Sequence, residues 1–226
     1  MSKYNFRIDK IDPNTTHGMI LSKIKPGSEV LECGCATGYM TKYMTEQMGC
    51  VVDVIEYDEE AIQQAEQYCR KSFCGDLNYY QCWDRFKESR YDFIMFADVL
   101  EHLTKPMRAL MKAAELLKPE GRIIVSIPNI CHNDIVLRMV NDLFCYTDMG
   151  LLDNTHIHFW GLRNFIQECD QIGLHVAECN CMGRETGKTE QALPSDVVDK
   201  DLLKILKERE FGEVYQFVFT IGKKEQ

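Results

Sequence analysis

No stretch of this 226-residue chain approaches twenty consecutive apolar residues, and about twenty are needed to cross a bilayer as a helix. The segment Met1 to Arg7 lacks the apolar centre of a secretory signal. Positive charge is scarce: 26 Lys and Arg stand against 35 Asp and Glu, a net charge of −9. That balance opposes a nucleic-acid partner, which needs a basic face, and a membrane partner with an anionic surface. Internal repeats and low-complexity segments are missing. So are two familiar nucleotide loops, the P-loop G-x-x-x-x-G-K-S/T and the dinucleotide fingerprint G-x-G-x-x-G. The expectation is a cytoplasmic protein in which residues 1–226 form a single domain.

Cysteine, by contrast, is plentiful. Eleven are present, irregularly spaced, several inside apolar runs. In a cytosolic chain they read as reduced packing residues. Cys33/Cys35 and Cys179/Cys181 are C-x-C pairs, but the first falls in a glycine turn that has another use.

That turn is the most informative segment. Val30-Leu31-Glu32-Cys33 runs into Gly34-Cys35-Ala36-Thr37-Gly38, and an amphipathic stretch Tyr39–Met48 follows. This pattern predicts strand, tight turn and helix, with free helix N–H groups facing a ligand. A second apolar run, Val51–Ile55, ends in Glu56. An acid at the tip of a second strand can take ribose hydroxyls. Together they predict a nucleoside half-site.

Apolar runs alternate with helical patterns, which predicts α/β architecture with a mainly parallel sheet and helices on both faces. Strands are expected near 29–33, 51–56, 73–74, 92–97, 122–127, 175–181 and 214–221. Helices are expected near 18–24, 39–48, 59–71, 105–117, 162–172 and 200–210, with 119–121 as a break. Residues 129–161 do not fit the alternation: a short helix near 135–144 leads into an aromatic- and His-rich loop. A long insertion over strand tips is usually functional, and it reads as a substrate lid. A homodimer contact is the other reading.

Glu32-x-Gly34-x-Ala36-x-Gly38 resembles the first motif of class I S-adenosylmethionine-dependent methyltransferases, acid-x-G-x-G-x-G, with Ala36 departing from it. Cys74-Gly75-Asp76-Leu77 and Ala97-Asp98-Val99-Leu100-Glu101-His102-Leu103 resemble later segments of the same family. The resemblance implies a doubly wound, Rossmann-like, seven-stranded sheet whose last strand is antiparallel, and S-adenosyl-L-methionine as cofactor. It places Glu32, Gly34, Ala36, Gly38, Glu56, Asp76, Leu77 and Asp98 around that cofactor.

Asp98, Glu101, His102 and His156 resemble the divalent-metal ligands of two related groups. One acts on ubiquinone-precursor catechols, the other on the 3′-terminal ribose of small RNAs. That reading implies Mg²⁺ or Mn²⁺ on a vicinal diol. In many relatives the same Leu-Glu-His-Leu segment holds no metal, and His156 or His158 is then the expected base, with Asp153 and His132 as weaker candidates. His17, at the start of the helix expected over 18–24, reads as a capping or surface residue. The stretch 146–160 resembles methyltransferases of bacterial glycan assembly, which implies O-methylation of a sugar hydroxyl. The alternatives are an aromatic or quinone-precursor acceptor and a non-catalytic cofactor-binding protein. The partner expected is a small-molecule or glycan acceptor.

Overall fold

The computed structural model describes residues 11–224; the segment Met1 to Arg7 lies outside them. The chain runs α1 (Thr16–Lys23), β1 (Glu29–Cys33), α2 (Tyr39–Met48), β2 (Val51–Glu56), α3 (Glu59–Ala65), β3 (Lys71–Cys74), α4 (Tyr80–Asp84) and β4 (Tyr91–Ala97). It continues α5 (Pro106–Glu115), β5 (Leu117–Pro128), α6 (Asn133–Met139), α7 (Leu162–Gln171), β6 (Leu174–Gly183), α8 (Lys200–Lys207) and β7 (Val214–Lys223). Short 3₁₀ turns cover Glu66–Tyr68 and Leu100–His102. Among the described residues, no helix is long and apolar enough to cross a membrane.

Seven strands form one sheet in the order β3-β2-β1-β4-β5-β7-β6. β1 to β5 pair in parallel, and β7 pairs antiparallel with both β5 and β6. Strand order reverses between β1 and β4, the place where open α/β sheets bind ligands. Successive side chains of β1 enter opposite faces. Leu31 and Cys33 join one buried cluster with Ile94, Phe96, Ile123 and Phe217. Val30 joins the other, with Val52, Val54, Met95, Ile124 and Val218.

The ends of the strands away from the glycine turn are fastened by charge. Asp53, fully buried on β2, accepts Arg70 Nε at 2.9 Å, Arg70 Nη2 at 2.7 Å and Tyr91 Oη at 2.6 Å. A buried carboxylate is tolerated when paired in this bidentate way. Lys118 links Glu29 and Asp92 beside it.

The helix expected over 59–71 stops at Ala65. The Arg70 amide bonds Val52 O and Lys71 aligns with Asp53, so the chain must leave the helix early to supply β3. Pro119–Gly121 does not separate two elements: β5 begins at Leu117, and the pairing register with β4 shifts across it. α1 begins at Thr16, because Thr15 Oγ1 accepts the Gly18 amide at 3.1 Å. α6 is shorter than the helix expected to reach 144. It starts after His132 and ends before Asp142, whose φ of +56° breaks it.

Candidate functional site

The loop after β1 winds through three left-handed residues, Gly34 (φ +78°), Ala36 (φ +48°) and Gly38 (φ +81°). A Cβ at Gly34 would lie 2.5 Å from Val99 Cγ2, and one at Gly38 2.7 Å from Ala65 Cα. Both positions therefore need glycine on conformation and on space, whereas Ala36 carries its methyl at a conformational cost. The Ala36 amide donates to Glu56 Oε2 at 2.7 Å. Glu56 Oε1 accepts the amides of Tyr57 at 2.7 Å and Asp58 at 3.0 Å. The acid at the tip of β2 thus braces both the loop and its own turn.

Glu32 is 1% exposed. Its Oε2 accepts Thr41 Oγ1 at 2.5 Å and its Oε1 has no hydrogen-bond partner. Burial, with Glu56 nearby, pushes its pKa up to about 8.

Beyond β3, Asp76 Oδ1 accepts the amide and the Nδ2 of Asn78, each at 2.8 Å. Leu77 is buried and its carbonyl accepts Trp83 Nε1 at 3.1 Å. Asn78 Oδ1 takes the Thr104 amide and hydroxyl, each at 2.9 Å, and so ties this turn to the segment before α5. Its role was not legible from sequence, since a lone Asn in a polar loop carries no pattern.

Asp98 follows the last residue of β4 and is itself left-handed at φ +53°. Its amide donates to Ser126 Oγ at 2.9 Å, and its Oδ1 accepts Ser126 Oγ at 2.6 Å and Gln216 Nε2 at 2.9 Å. The carboxylate is thereby held towards β5 and β7. Among the described residues, the group whose ligand atoms lie within 4.8 Å of one another is Glu101, His102 and His156; Asp98 stands outside it.

Within that group, Glu101 is fully buried and neither carboxylate oxygen has a hydrogen-bond partner. Burial, with Asp98 adding to it, drives its pKa well above the usual carboxylate range. His156 Nε2 lies 4.0 Å from Glu101 Oε1, and its Nδ1 also lacks a partner. Burial, with His102 beside it, lowers the His156 pKa and so favours the neutral imidazole. The rings of His102 and His156 are 4.8 Å apart. Orphaned buried acceptors are costly unless something supplies charge or donors. One carboxyl group beside two imidazoles is a donor set that suits a divalent cation.

Local backbone brings these residues together. The Glu101 carbonyl accepts the amides of Ile157 at 2.9 Å and His158 at 3.1 Å, which pins the downstream segment. His102 Nδ1 lies 3.1 Å from Thr155 Oγ1, and Thr155 Oγ1 donates to Asp153 Oδ1 at 2.6 Å. His158 stacks on Trp160 with ring centroids 5.5 Å apart, outside the group. His132 is committed elsewhere. Its Nδ1 accepts the Asp134 amide at 3.1 Å, so the other nitrogen, Nε2, donates to Arg184 O at 2.8 Å, and the residue caps α6. His17 lies across the site on α1, 2.9 Å from Tyr39 Oη.

Residues 129–161 supply His156 and an aromatic surface beside it. Phe159 lies 6.3 Å from His156, 6.1 Å from Phe144 and 6.3 Å from Tyr146. Residues 183–192 fasten this segment. The buried Asp134 carboxylate accepts Gly187 N at 2.7 Å and Thr189 Oγ1 at 2.7 Å. Glu190 accepts the Leu151 amide at 2.6 Å and Tyr215 Oη at 2.9 Å.

The family described as "Methyltransferase domain" matches residues 10–178. Among curated proteins, the ubiquinone biosynthesis O-methyltransferase of Coxiella burnetii (strain RSA 493 / Nine Mile phase I) is 24% identical over 183 residues, covering 68% of this chain and 76% of that one. The N-terminal Xaa-Pro-Lys N-methyltransferase 1 of Rattus norvegicus is 28% identical over 149 residues, covering 61% and 66%. A solved SAM-dependent methyltransferase from Archaeoglobus fulgidus superposes with a TM-score of 0.62 at 16% identity, over 91% of this chain and 90% of that one. The plantazolicin methyltransferase BpumL, solved in complex with SAH, gives 0.56 at 17% identity, over 92% and 80%.

Proposed function

Because this chain belongs to the methyltransferase-domain family and is an S-adenosylmethionine-dependent methyltransferase, we propose that it methylates one hydroxyl of a small aromatic vicinal diol. The observation that carries this reading is the group of Glu101, His102 and His156, with both Glu101 oxygens buried and unpaired. These three residues would hold Mg²⁺ or Mn²⁺. When bound, such an ion lowers the pKa of a ligated hydroxyl and favours its oxyanion. Phe144, Tyr146 and Phe159 offer flat apolar faces to a planar ring at the edge of that group. Residues 129–161, held by Asp134 and Glu190, cover the acceptor side.

On the donor side, the Gly34–Gly38 loop and the start of α2 face the methionine part of the cofactor, with Glu32 behind them. Glu56 takes the ribose: its two oxygens accept three amides here, and a carboxylate has room for roughly four hydrogen bonds. Asp76 and Leu77 meet the adenine, and Asp98 the amino-acid end. Methyl transfer from a sulfonium needs no enzyme nucleophile; alignment supplies much of the rate.

A sugar diol, the first expectation from the sequence, would suit the same three ligands. The similarity to ubiquinone biosynthesis O-methyltransferases favours the aromatic, quinone-precursor acceptor. A metal-free reading with His156 as base is favoured by burial, which lowers its pKa, and by its place beside Glu101. The eleven free thiols suit a reducing, cytoplasmic setting.

The test is transfer of a tritiated methyl group from S-adenosylmethionine to 3,4-dihydroxybenzoate or to a methyl glucoside, with Mn²⁺ or with EDTA. We expect labelled catechol, abolished by EDTA. Label on the glucoside alone would restore the sugar reading. Label indifferent to EDTA would make His156 the base.

A further inference from the structure

We propose that Gln216 is a positioning residue for the cofactor, linking the seat of helix α1 to the carboxylate of Asp98. The inference rests on the reading that Asp98 meets the amino-acid end of S-adenosylmethionine.

Gln216 sits on β7 opposite Pro128, the last residue of β5, so its side chain stands at the strand tips. Its amide is fixed in one sense. The Asp98 carboxylate only accepts, so the NH₂ faces it, with Nε2 to Oδ1 at 2.9 Å. The carbonyl end then accepts the hydroxyl of Thr16, the first residue of α1. A Gln in this place reads two surfaces with opposite hydrogen-bonding demands, which neither Glu nor Leu can do.

Asp98 Oδ1 also accepts Ser126 Oγ, and the same oxygen of Ser126 accepts the Asp98 amide. Ser126 is fully buried. Oδ1 is therefore held by two donors, which leaves Oδ2 for a ligand. The charge of this carboxylate reaches both ways across the site, to His17 on α1 and to Glu101 and His156. The residue after it, Val99, is the one against which a Gly34 Cβ would clash. Asp98 thus borders the cofactor loop at the strand-order reversal, where a fixed carboxylate suits the cofactor's ammonium.

α1 reaches the cofactor from its other side as well. His17, next to Thr16, meets Tyr39, the first residue of α2 after Gly38. Two adjacent residues of one helix therefore touch the glycine loop's helix and, through Gln216, the Asp98 carboxylate. Fixing these groups in advance removes ordering cost from cofactor binding.

The experiment is calorimetric titration of the full chain with S-adenosylhomocysteine. Wild type is compared with Thr16→Val, Gln216→Leu, the double variant, Gln216→Glu and Asp98→Asn, folding being checked by circular dichroism. We expect Gln216→Leu to weaken binding about five- to tenfold and Thr16→Val about threefold. The double variant should match Gln216→Leu alone, because both cuts fall on one chain of contacts. Gln216→Glu keeps the acceptor for Thr16 but sets an acceptor against Asp98, and should lose at least as much as Gln216→Leu. It serves if the Leu variant does not fold. In turnover, KM for S-adenosylmethionine should rise with kcat little changed. Folded Gln216 variants within twofold of wild type, or a double variant whose losses simply multiply, would overturn the proposal if Asp98→Asn itself binds weakly. Asp98→Asn within twofold of wild type would overturn the reading of Asp98 beneath it.

Discussion

Glu56 and Ala36 are joined directly: the Ala36 amide donates to Glu56 Oε2 at 2.7 Å. The contact explains how a loop with alanine in place of the middle glycine keeps its shape. The amide, not the missing Cβ, is what the acid needs. Ala36 stays left-handed because Glu56 holds it there.

Ala36→Gly should therefore stabilise the fold by about 1 kcal/mol, since glycine adopts φ +48° without steric cost. Urea unfolding measures it. A fall in stability would show that the methyl group packs more favourably than its conformation costs.

Removing the acid should act on binding. Glu56→Ala unties three amides and deletes the proposed ribose partner, so affinity for S-adenosylhomocysteine should drop by roughly 1–3 kcal/mol. Unchanged affinity by calorimetry would leave Glu56 as a loop brace alone.

Burial raises the pKa of Glu32 from 4.5 to about 8. A carboxyl raised on folding stabilises most when protonated. Its contribution is fully present below about pH 4.5, declines as pH rises, and is lost above about pH 8. The difference is on the order of a few kcal/mol. Glu32→Gln should flatten the stability profile between pH 5 and pH 9, read as urea midpoints across that range (about the window in which the group titrates). Parallel profiles for variant and wild type would place the pH dependence elsewhere.

At the start of α6, Asp134 is fully buried and holds Gly187 and Thr189. Asp134→Ala should cost about 2–3 kcal/mol by leaving those donors unpaired. Affinity for S-adenosylhomocysteine should stay within about twofold, because these bonds lie away from the glycine loop. Stability equal to wild type would show that residues 183–192 do not fasten residues 129–161.

Much of this was legible in the sequence where periodicity and turn chemistry agree. β1, α2 and β2 occupy the expected residues, because an apolar run, a glycine turn and an amphipathic stretch each constrain the next. The early end of α3 was not legible: the polar 59–71 run suits a helix, and only pairing of Lys71 with Asp53 removes its last turn. The short helix α4 was missed, since five residues carry no period. The sequence points to Asp98, Glu101, His102 and His156 as one set; the fold draws the last three within reach of one another and leaves Asp98 outside. The orientation of Asp98 was not readable. It depends on Ser126 and Gln216, two ordinary polar residues on strands remote in sequence.

In the proposed reading, Glu101, His102 and His156 hold a divalent cation. Crystals grown with S-adenosylhomocysteine and Mn²⁺, with anomalous data collected, test it most directly. We expect one anomalous peak among the Glu101 carboxylate and the two imidazoles, absent from crystals of Glu101→Gln. Clear density for the cofactor with no peak at those three side chains would contradict it.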